Sequence, residues 1–281
     1  MRERAVGWAA SVLGHPVVAV AELPGGLTST MLALTDASGS RSVLRLMTEE
    51  PWRSHGAALT MRESAAQRAL AGTDVPAPRS LGLDAHGRRT GVAAHLMSCL
   101  PGAPVPAPDT AHLAAMARAL GAVHAVHPGQ PFRHYRSWAG PEKWVVPEWA
   151  THPASWERAF ALLQEDPPPY TPTFLHRDFS HRNLLWEGEE VAGVVDWVET
   201  SIGPAWLDAA HAATNLAVSV GTGLAWAWLD AYAAHTGGPP ERYWLVMDAV
   251  GFLPSPGRAP LFGSSAELRR LEAWLHAVMT A

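Results

Sequence analysis

The chain has little cysteine, almost no lysine and no unbroken hydrophobic span, and each shortage closes off a class of protein. Its one cysteine, Cys99, excludes an internal disulfide and any zinc ribbon. A reducing compartment suits such a chain, so a cytoplasmic location is expected. Positive charge is not in excess: 21 Lys and Arg stand against 26 Asp and Glu, a net charge of −5. On that balance no nucleic-acid partner is expected. Lys143 is the only lysine, so a cation needed anywhere else must come from arginine. The longest apolar stretch, residues 212–229, is interrupted by Asn215, Gly221 and Gly223. It reads as a pair of buried helices rather than a membrane span, and no membrane partner is expected. Arg2 and Arg4 precede a short apolar run, as in a leader peptide. Glu3, Trp8, His15 and Pro16 break that pattern, and residues 2–13 read as an amphipathic helix. Neither an internal repeat nor a long linker is visible, and a monomer or weak dimer is expected.

What is present is enough apolar material for a substantial core. Of 281 residues, 48% are hydrophobic, which suits one large domain or two lobes and argues against disorder. Residues 1–98 read as strands around one main helix. Alternation marks strands at 17–22, 30–35 and 41–47, the last two joined by the hairpin chemistry of Asp36-Ala37-Ser38-Gly39-Ser40. Helical spacing covers 59–70, and strands return at 81–83 and 92–97. A connector rich in proline follows at 99–108. Beyond it, 109–281 reads as mainly helical: 109–127 with Asp109 or Thr110 as cap, then 155–164, 206–220, 224–235 and 266–279. Residues 128–173, rich in Trp and Pro, give no clear pattern outside the 155–164 helix. The fold class expected is α+β, a small antiparallel-sheet lobe followed by a larger helical one.

The chemistry is concentrated in Leu175-His176-Arg177-Asp178-Phe179-Ser180-His181-Arg182-Asn183 and in Val194-Val195-Asp196-Trp197. Phosphoryl transfer from a nucleotide needs a carboxylate to orient the acceptor hydroxyl, and hard oxygen ligands for magnesium. Asp178 suits the first task; Asn183, five residues on, and Asp196, 18 residues on, suit the second. A zinc site is not indicated, because His176 and His181 lack the usual ligand spacing. His176 reads instead as a packed residue that holds the loop.

These motifs resemble the catalytic and metal-binding loops of the protein-kinase-like superfamily. Trp197 after the metal Asp, Gly203-Pro204 and Leu207-Asp208-Ala209-Ala210 make the chain similar to the aminoglycoside phosphotransferase family. The resemblance spans about residues 17–235. It implies a two-lobed kinase-like fold, Mg2+, and ATP or GTP as phosphoryl donor. It also implies that 23–30, with Gly25, Gly26 and Ser29, covers the nucleotide, and that 95–102, with Met97 and Cys99, is the hinge that meets the base. Asp208 matches a bracing position of the family, and its place also suits the start of a helix. Two departures stand out. Arg45, with Glu63 as partner, occupies the place of the strand lysine and is assigned to the donor phosphates. Arg177 stands where antibiotic kinases of the family often carry glycine.

The function expected is O-phosphorylation of a small molecule's hydroxyl, with an aminoglycoside or basic peptide antibiotic as acceptor. Glu199 and Asp230 are candidate acceptor-binding acids, with Glu142 and Glu148 behind them, and Trp144, Trp138 and Trp149 are candidate ring-stacking walls. Two alternatives stay open: a metabolic kinase of choline, homoserine or a sugar, and a nucleotide-binding module without turnover. A protein kinase is disfavoured, because no glycine follows Asp196-Trp197 and no activation segment precedes Gly203-Pro204.

Overall fold

The structure is a computed structural model that describes residues 1–24, 29–258 and 262–281. The chain divides into two compact units. The first comprises 1–102, 128–130 and 192–200, and the second comprises 103–127, 131–191 and 201–281.

The first unit opens with helix α1 (Arg2–Leu13), whose buried face is Ala5, Trp8 and Ala9 at helical spacing. It stops at Gly14, where φ is 74° and the amide returns to the Ala10 carbonyl. Strands β1 (Val17–Leu23), β2 (Thr30–Asp36) and β3 (Arg41–Leu46) follow. Asp36 Oδ1 accepts from the amides of Ser38 and Ser40 at 2.8 and 3.0 Å, closing the β2–β3 hairpin as expected. Helix α2 (Gly56–Leu70) begins one turn earlier than its apolar spacing suggested. Gly56 makes that start fit: a Cβ there would come within 2.9 Å of the Met47 and Ala93 side chains. Strands β4 (Ser80–Asp84) and β5 (Ala94–Ser98) complete a five-stranded antiparallel sheet in the order β1-β2-β3-β5-β4. Leu32, Leu34, Leu44, Leu46 and Leu96 form its core face, closed by the buried face of α1. Segment 192–200 is tied into this unit through the Val194 amide, which donates to the Pro76 carbonyl at 2.8 Å.

The second unit is helical. Helix α3 (Thr110–His124) is capped by Asp109, which accepts from the Ala111 amide at 3.0 Å. Helix α4 (Pro153–Leu163) lies within the Trp- and Pro-rich segment. Around it the chain is irregular and held by side chains: Glu272 accepts from the amides of Thr151 and His152 and from the Trp156 indole. Strand β6 (Thr173–Leu175) comes next, then β7 (Leu184–Glu187), β8 (Glu190–Val194), whose residues from 192 on belong to the first unit, and β9 (Ser201–Gly203). β6 pairs antiparallel with β9, and β7 and β8 form a hairpin.

Helices α5 (Trp206–Ser219), α6 (Thr222–Thr236), α7 (Arg242–Gly251) and α8 (Ser265–Thr280) complete the unit. Helix α5 is central, with every residue from 207 to 218 buried. The apolar stretch does split into two helices, at Gly221 with φ 151°. Helix α7 was not foreseen. All its residues from 244 to 251 are buried, so it has no polar face to give a helical period. Its C-terminal Gly251 carbonyl accepts from Lys143 Nζ at 2.6 Å, so the only lysine caps a helix. Among the described residues no helix is long and apolar enough to cross a membrane.

Candidate active site

The 175–183 loop leaves β6 and is braced from below by α5. Asp208 is fully buried in the first turn of that helix. Its Oδ1 accepts from the Arg177 amide at 2.7 Å, and its Oδ2 accepts from the His176 amide at 2.8 Å and from His124 Nε2 at 3.2 Å. Asp208 therefore holds the loop rather than capping its own helix. Burial pushes its carboxyl up, but the hydrogen bond and charge of His124 and the loop amide outweigh that and hold it low. His176 is buried and packs as expected: its Nδ1 accepts from the Asp178 amide at 3.2 Å. Phe179 stacks under Trp228 at 6.2 Å. Asn183, at the end of a short turn, donates through Nδ2 to the Asp178 carbonyl at 2.8 Å, which leaves its Oδ1 as the remaining acceptor.

Arg177 has φ 74°, a backbone state that favours glycine. That explains why glycine suits this position. Here an arginine is kept there by its side chain, whose guanidinium lies 3.7 Å above the Trp138 ring.

The Asp178 carboxylate is 35% exposed and reaches a residue that sequence reasoning missed. His211 Nε2 lies 2.9 Å from Asp178 Oδ1, and His211 Nδ1 lies 2.9 Å from Asp248 Oδ1. Burial lowers the His211 pKa, but the two carboxylates overcome it and lift the ring to about 9. Burial likewise raises Asp178, and the hydrogen bond and charge of His211 bring it below its ordinary value. The signal was in the sequence: His211 is a polar ring one helical turn after Asp208 in an alanine-rich, buried run.

In the first unit, Arg45 is the centre of a buried charge cluster. Its Nη2 donates to Glu63 Oε1 at 3.1 Å and to Asp196 Oδ1 at 2.9 Å, and its Nη1 donates to Ser29 Oγ at 3.2 Å. The expected Arg45–Glu63 pair is present; its contact with Asp196 is an addition. Glu63 Oε2 also accepts from His95 Nδ1 at 2.9 Å. Burial raises Glu63, yet Arg45 and His95 pull it down to about 2. Burial alone would lower Arg45, and the charges of Asp196 and Glu63 reverse that. Asp196 follows β8 at φ 67°, with 29% of its side chain exposed. Trp197 behind it is fully buried and donates to the Val194 carbonyl at 2.8 Å.

The remaining candidates belong to several segments of the two units. Met97 is buried on β5, its sulfur 3.5 Å from Gln67 Nε2. Cys99 is half-buried, and its amide donates to the Arg41 carbonyl at 3.4 Å. Glu199 lies 3.8 Å from Arg62, which also donates to the Val198 carbonyl. Trp144 is half-buried and donates to the Ala139 carbonyl at 3.1 Å, and Trp149 packs edge-on against Trp156. Glu142, Glu148 and Asp230 are exposed, Asp230 on α6. Trp138 meets the loop through Arg177 and also lies edge-on to His211 of α5. Gly25 and Gly26 lie outside the described residues. Among the described residues no group of three or more His, Cys, Asp or Glu side chains could by itself hold a metal ion.

The sequence model of the phosphotransferase enzyme family matches residues 19–245, most of the chain. The chain belongs to the phosphotransferase enzyme family. Solved structures agree on the fold. A thermostable mutant of aminoglycoside phosphotransferase APH(4)-Ia, in ternary complex with AMP-PNP and hygromycin B, superposes with a TM-score of 0.71 at 16% identity, over 98% of this chain and 97% of that one. Macrolide 2'-phosphotransferase MphH from Brachybacterium faecium gives 0.61 at 21% identity, over 95% and 96%. An amicoumacin kinase in complex with AMP-PNP, Ca2+ and amicoumacin gives 0.65 at 13%, over 93% and 88%. No curated protein matches the chain by sequence. The expected α+β, kinase-like fold is thus borne out, and the phosphotransferase chemistry comes with the family.

Proposed function

We propose that this phosphotransferase moves the terminal phosphoryl group of ATP or GTP to a hydroxyl of a small antibiotic in the cytoplasm. The observation that carries the reading is the Asp178 carboxylate: part-exposed and ionised, on a loop whose backbone is tied down by Asp208, His176 and Asn183. Phosphoryl transfer asks the protein mainly to position reactants and stabilise charge, and a fixed carboxylate suits the acceptor hydroxyl. Asn183 and Asp196 would hold magnesium. Their donor set fits it: one carboxylate and one amide oxygen, both hard ligands, with the Asn183 nitrogen already engaged by the loop. When bound, the metal neutralises charge on the donor phosphates. Arg45, oriented by Glu63, would meet those phosphates with Gly25, Gly26 and Ser29, and Met97 and Cys99 would flank the base. The acceptor class rests on the fold neighbours, which carry hygromycin B and amicoumacin or are named for macrolides. Trp138, Trp144 and Glu199 are the acceptor contacts to probe first.

The test is a labelled ATP and GTP transfer screen over hygromycin B, a macrolide, amicoumacin, choline, homoserine and sugars, with mass spectrometry of the product. Transfer to an antibiotic is expected, lost about 10²–10⁴-fold in Asp178→Asn with nucleotide binding intact. Transfer only to a small alcohol would refute the antibiotic reading. Full turnover in Asp178→Asn would refute the role of Asp178. Asp196→Ala should remove the magnesium dependence of nucleotide binding, and its persistence would move the metal elsewhere.

A further inference from the structure

Helices α5 and α7 bring His211 and Asp248 into contact in a chain that ends on Asp178 of the 175–183 loop. His211 is 5% exposed and Asp248 is buried. Each ring nitrogen of His211 faces a carboxylate oxygen at 2.9 Å: Nδ1 faces Asp248 and Nε2 faces Asp178. A neutral imidazole has one N–H and would turn a lone pair toward one of those carboxylates. For both carboxylate oxygens to accept from the ring, both nitrogens must donate. Asp248 adds to the demand, because its Oδ2 meets no hydrogen-bond partner among the described residues. A buried carboxylate with so little other support needs a full positive charge beside it. The ring is also fixed by its faces, stacked on Phe252 at 5.3 Å and edge-on to Trp138 at 5.5 Å.

We infer that His211, held as an imidazolium by Asp248, is a positioning residue that locks the Asp178 carboxylate for the acceptor hydroxyl. The inference rests on the proposed role of Asp178. Its consequence is geometric. With Oδ1 engaged by His211 and the Asp178 carbonyl engaged by Asn183, the carboxylate cannot rotate freely, and Oδ2 becomes the oxygen presented to the acceptor. The chemical consequence is that Asp178 becomes a weaker base. That suits a carboxylate that orients a hydroxyl and takes its proton late, as a loose phosphoryl-transfer transition state requires. Among the described residues the charged and polar groups facing the ring are few. Asp178 comes from the loop, Asp248 from α7, and Asn215 from α5 itself, whose Nδ2 donates to the His211 carbonyl at 3.0 Å and passes 3.2 Å from Nε2 without donating to the charged ring. Arg177 lies over the neighbouring Trp138. The elevated pKa of about 9 agrees with a ring charged at neutral pH.

Two measurements test this. In 15N-histidine NMR of the intact protein at pH 8, His211 should show two protonated ring nitrogens, its signal assigned by its loss in His211→Gln. A single protonated nitrogen overturns the inference. In Asp248→Asn the ring should become neutral at that pH, and a ring still doubly protonated overturns the part given to Asp248. Turnover is then compared in His211→Gln and His211→Phe, with the acceptor found in the antibiotic screen and with MgATP hydrolysis as a readout that needs no acceptor. Gln keeps an N–H toward Asp178, whereas Phe keeps only the packing between Phe252 and Trp138. We expect kcat to fall about 10–100-fold in His211→Phe and clearly less in His211→Gln, with the ATP KM unchanged in both. If Phe performs as well as Gln, the ring is packing alone. Should His211→Phe fail to fold, Asp248→Asn and the NMR measurement decide. Turnover lost in Asp178→Asn but kept in His211→Phe overturns the role of His211 alone. Turnover kept in Asp178→Asn overturns the reading of Asp178 itself.

Discussion

Replacing Asp208 by Asn should loosen the 175–183 loop. Both carboxylate oxygens are used: Oδ1 by the Arg177 amide at 2.7 Å, Oδ2 by the His176 amide at 2.8 Å and by His124 at 3.2 Å. An asparagine has one oxygen. Whichever way it turns, its NH2 group faces a buried backbone N–H, and that donor loses its partner. A buried unsatisfied donor costs about 1–3 kcal/mol, and the surviving bond loses its charge assistance, about 1 kcal/mol more. The sum is about 2–4 kcal/mol. Arg177 adds leverage, because its left-handed backbone at φ 74° is a conformation the chain holds only against a cost. The loss should therefore appear locally. Amide hydrogen exchange at His176 and Arg177 should speed up about 30- to 1,000-fold, the same free energy written as a ratio. Chemical unfolding should show a smaller drop where the loop opens without the helices. An Asp208→Asn protein with unchanged exchange at both amides, and stability within about 0.5 kcal/mol of the parent, would refute the reasoning. The loop would then be held by the packing of His176 and Phe179 instead.

Other outcomes follow from the charge clusters and the backbone. Arg45→Ala should cost about 3–5 kcal/mol in unfolding experiments, because it strands the fully buried Glu63; a loss below about 1 kcal/mol would mean that His95 alone satisfies that acid. Glu63 has its pKa depressed to about 2 in the folded chain. Its contribution is complete above pH 4.5 and disappears as pH falls toward 2, on the order of 3 kcal/mol. His211 has the opposite sign: its folded pKa of about 9 makes its contribution complete below pH 6.5 and lost as pH rises through 9. Unfolding midpoints measured from pH 2 to 10 should show both limbs, with Glu63→Gln flattening the acid one and His211→Gln the alkaline one. At Arg177, glycine should be better tolerated than alanine by about 1 kcal/mol, since only alanine strains at a positive φ once the Trp138 stack is lost. Equal stabilities of the two variants would count against that account.

The candidate site was legible in the sequence where chemistry and spacing coincide. Asp178, Asn183 and Asp196 stand out as candidates by their order and spacing, and the Arg45–Glu63 pair was expected from the family resemblance. The hairpin at Asp36 and the cap at Asp109 rest on local hydrogen bonds, which local sequence encodes. What stayed hidden depends on packing. Helix α7 is buried on every side and offers no periodic face, so its Asp248 could not be placed. His211 then lacked a visible partner, because the Asp248–His211–Asp178 line joins segments 33 and 37 residues apart. Asp208 was read partly as a helix-start residue because Asp is common there, and the loop amides it serves lie 31 and 32 residues upstream. Arg177 shows the same limit from the other side. The family resemblance marks it as a departure from glycine, and only the backbone angle explains what the departure must overcome.

The scarcity of lysine has a practical side. Lys143 holds the only ε-amine in the chain, and that amine is half-buried against the last carbonyl of the helix that carries Asp248. Burial lowers its pKa, which raises the fraction of nucleophilic free amine at a given pH. An amine-directed reagent thus has one side chain to react with. Acylation there would uncap α7 one turn from Asp248, so a single chemical label would both mark and perturb the support beneath the candidate active site.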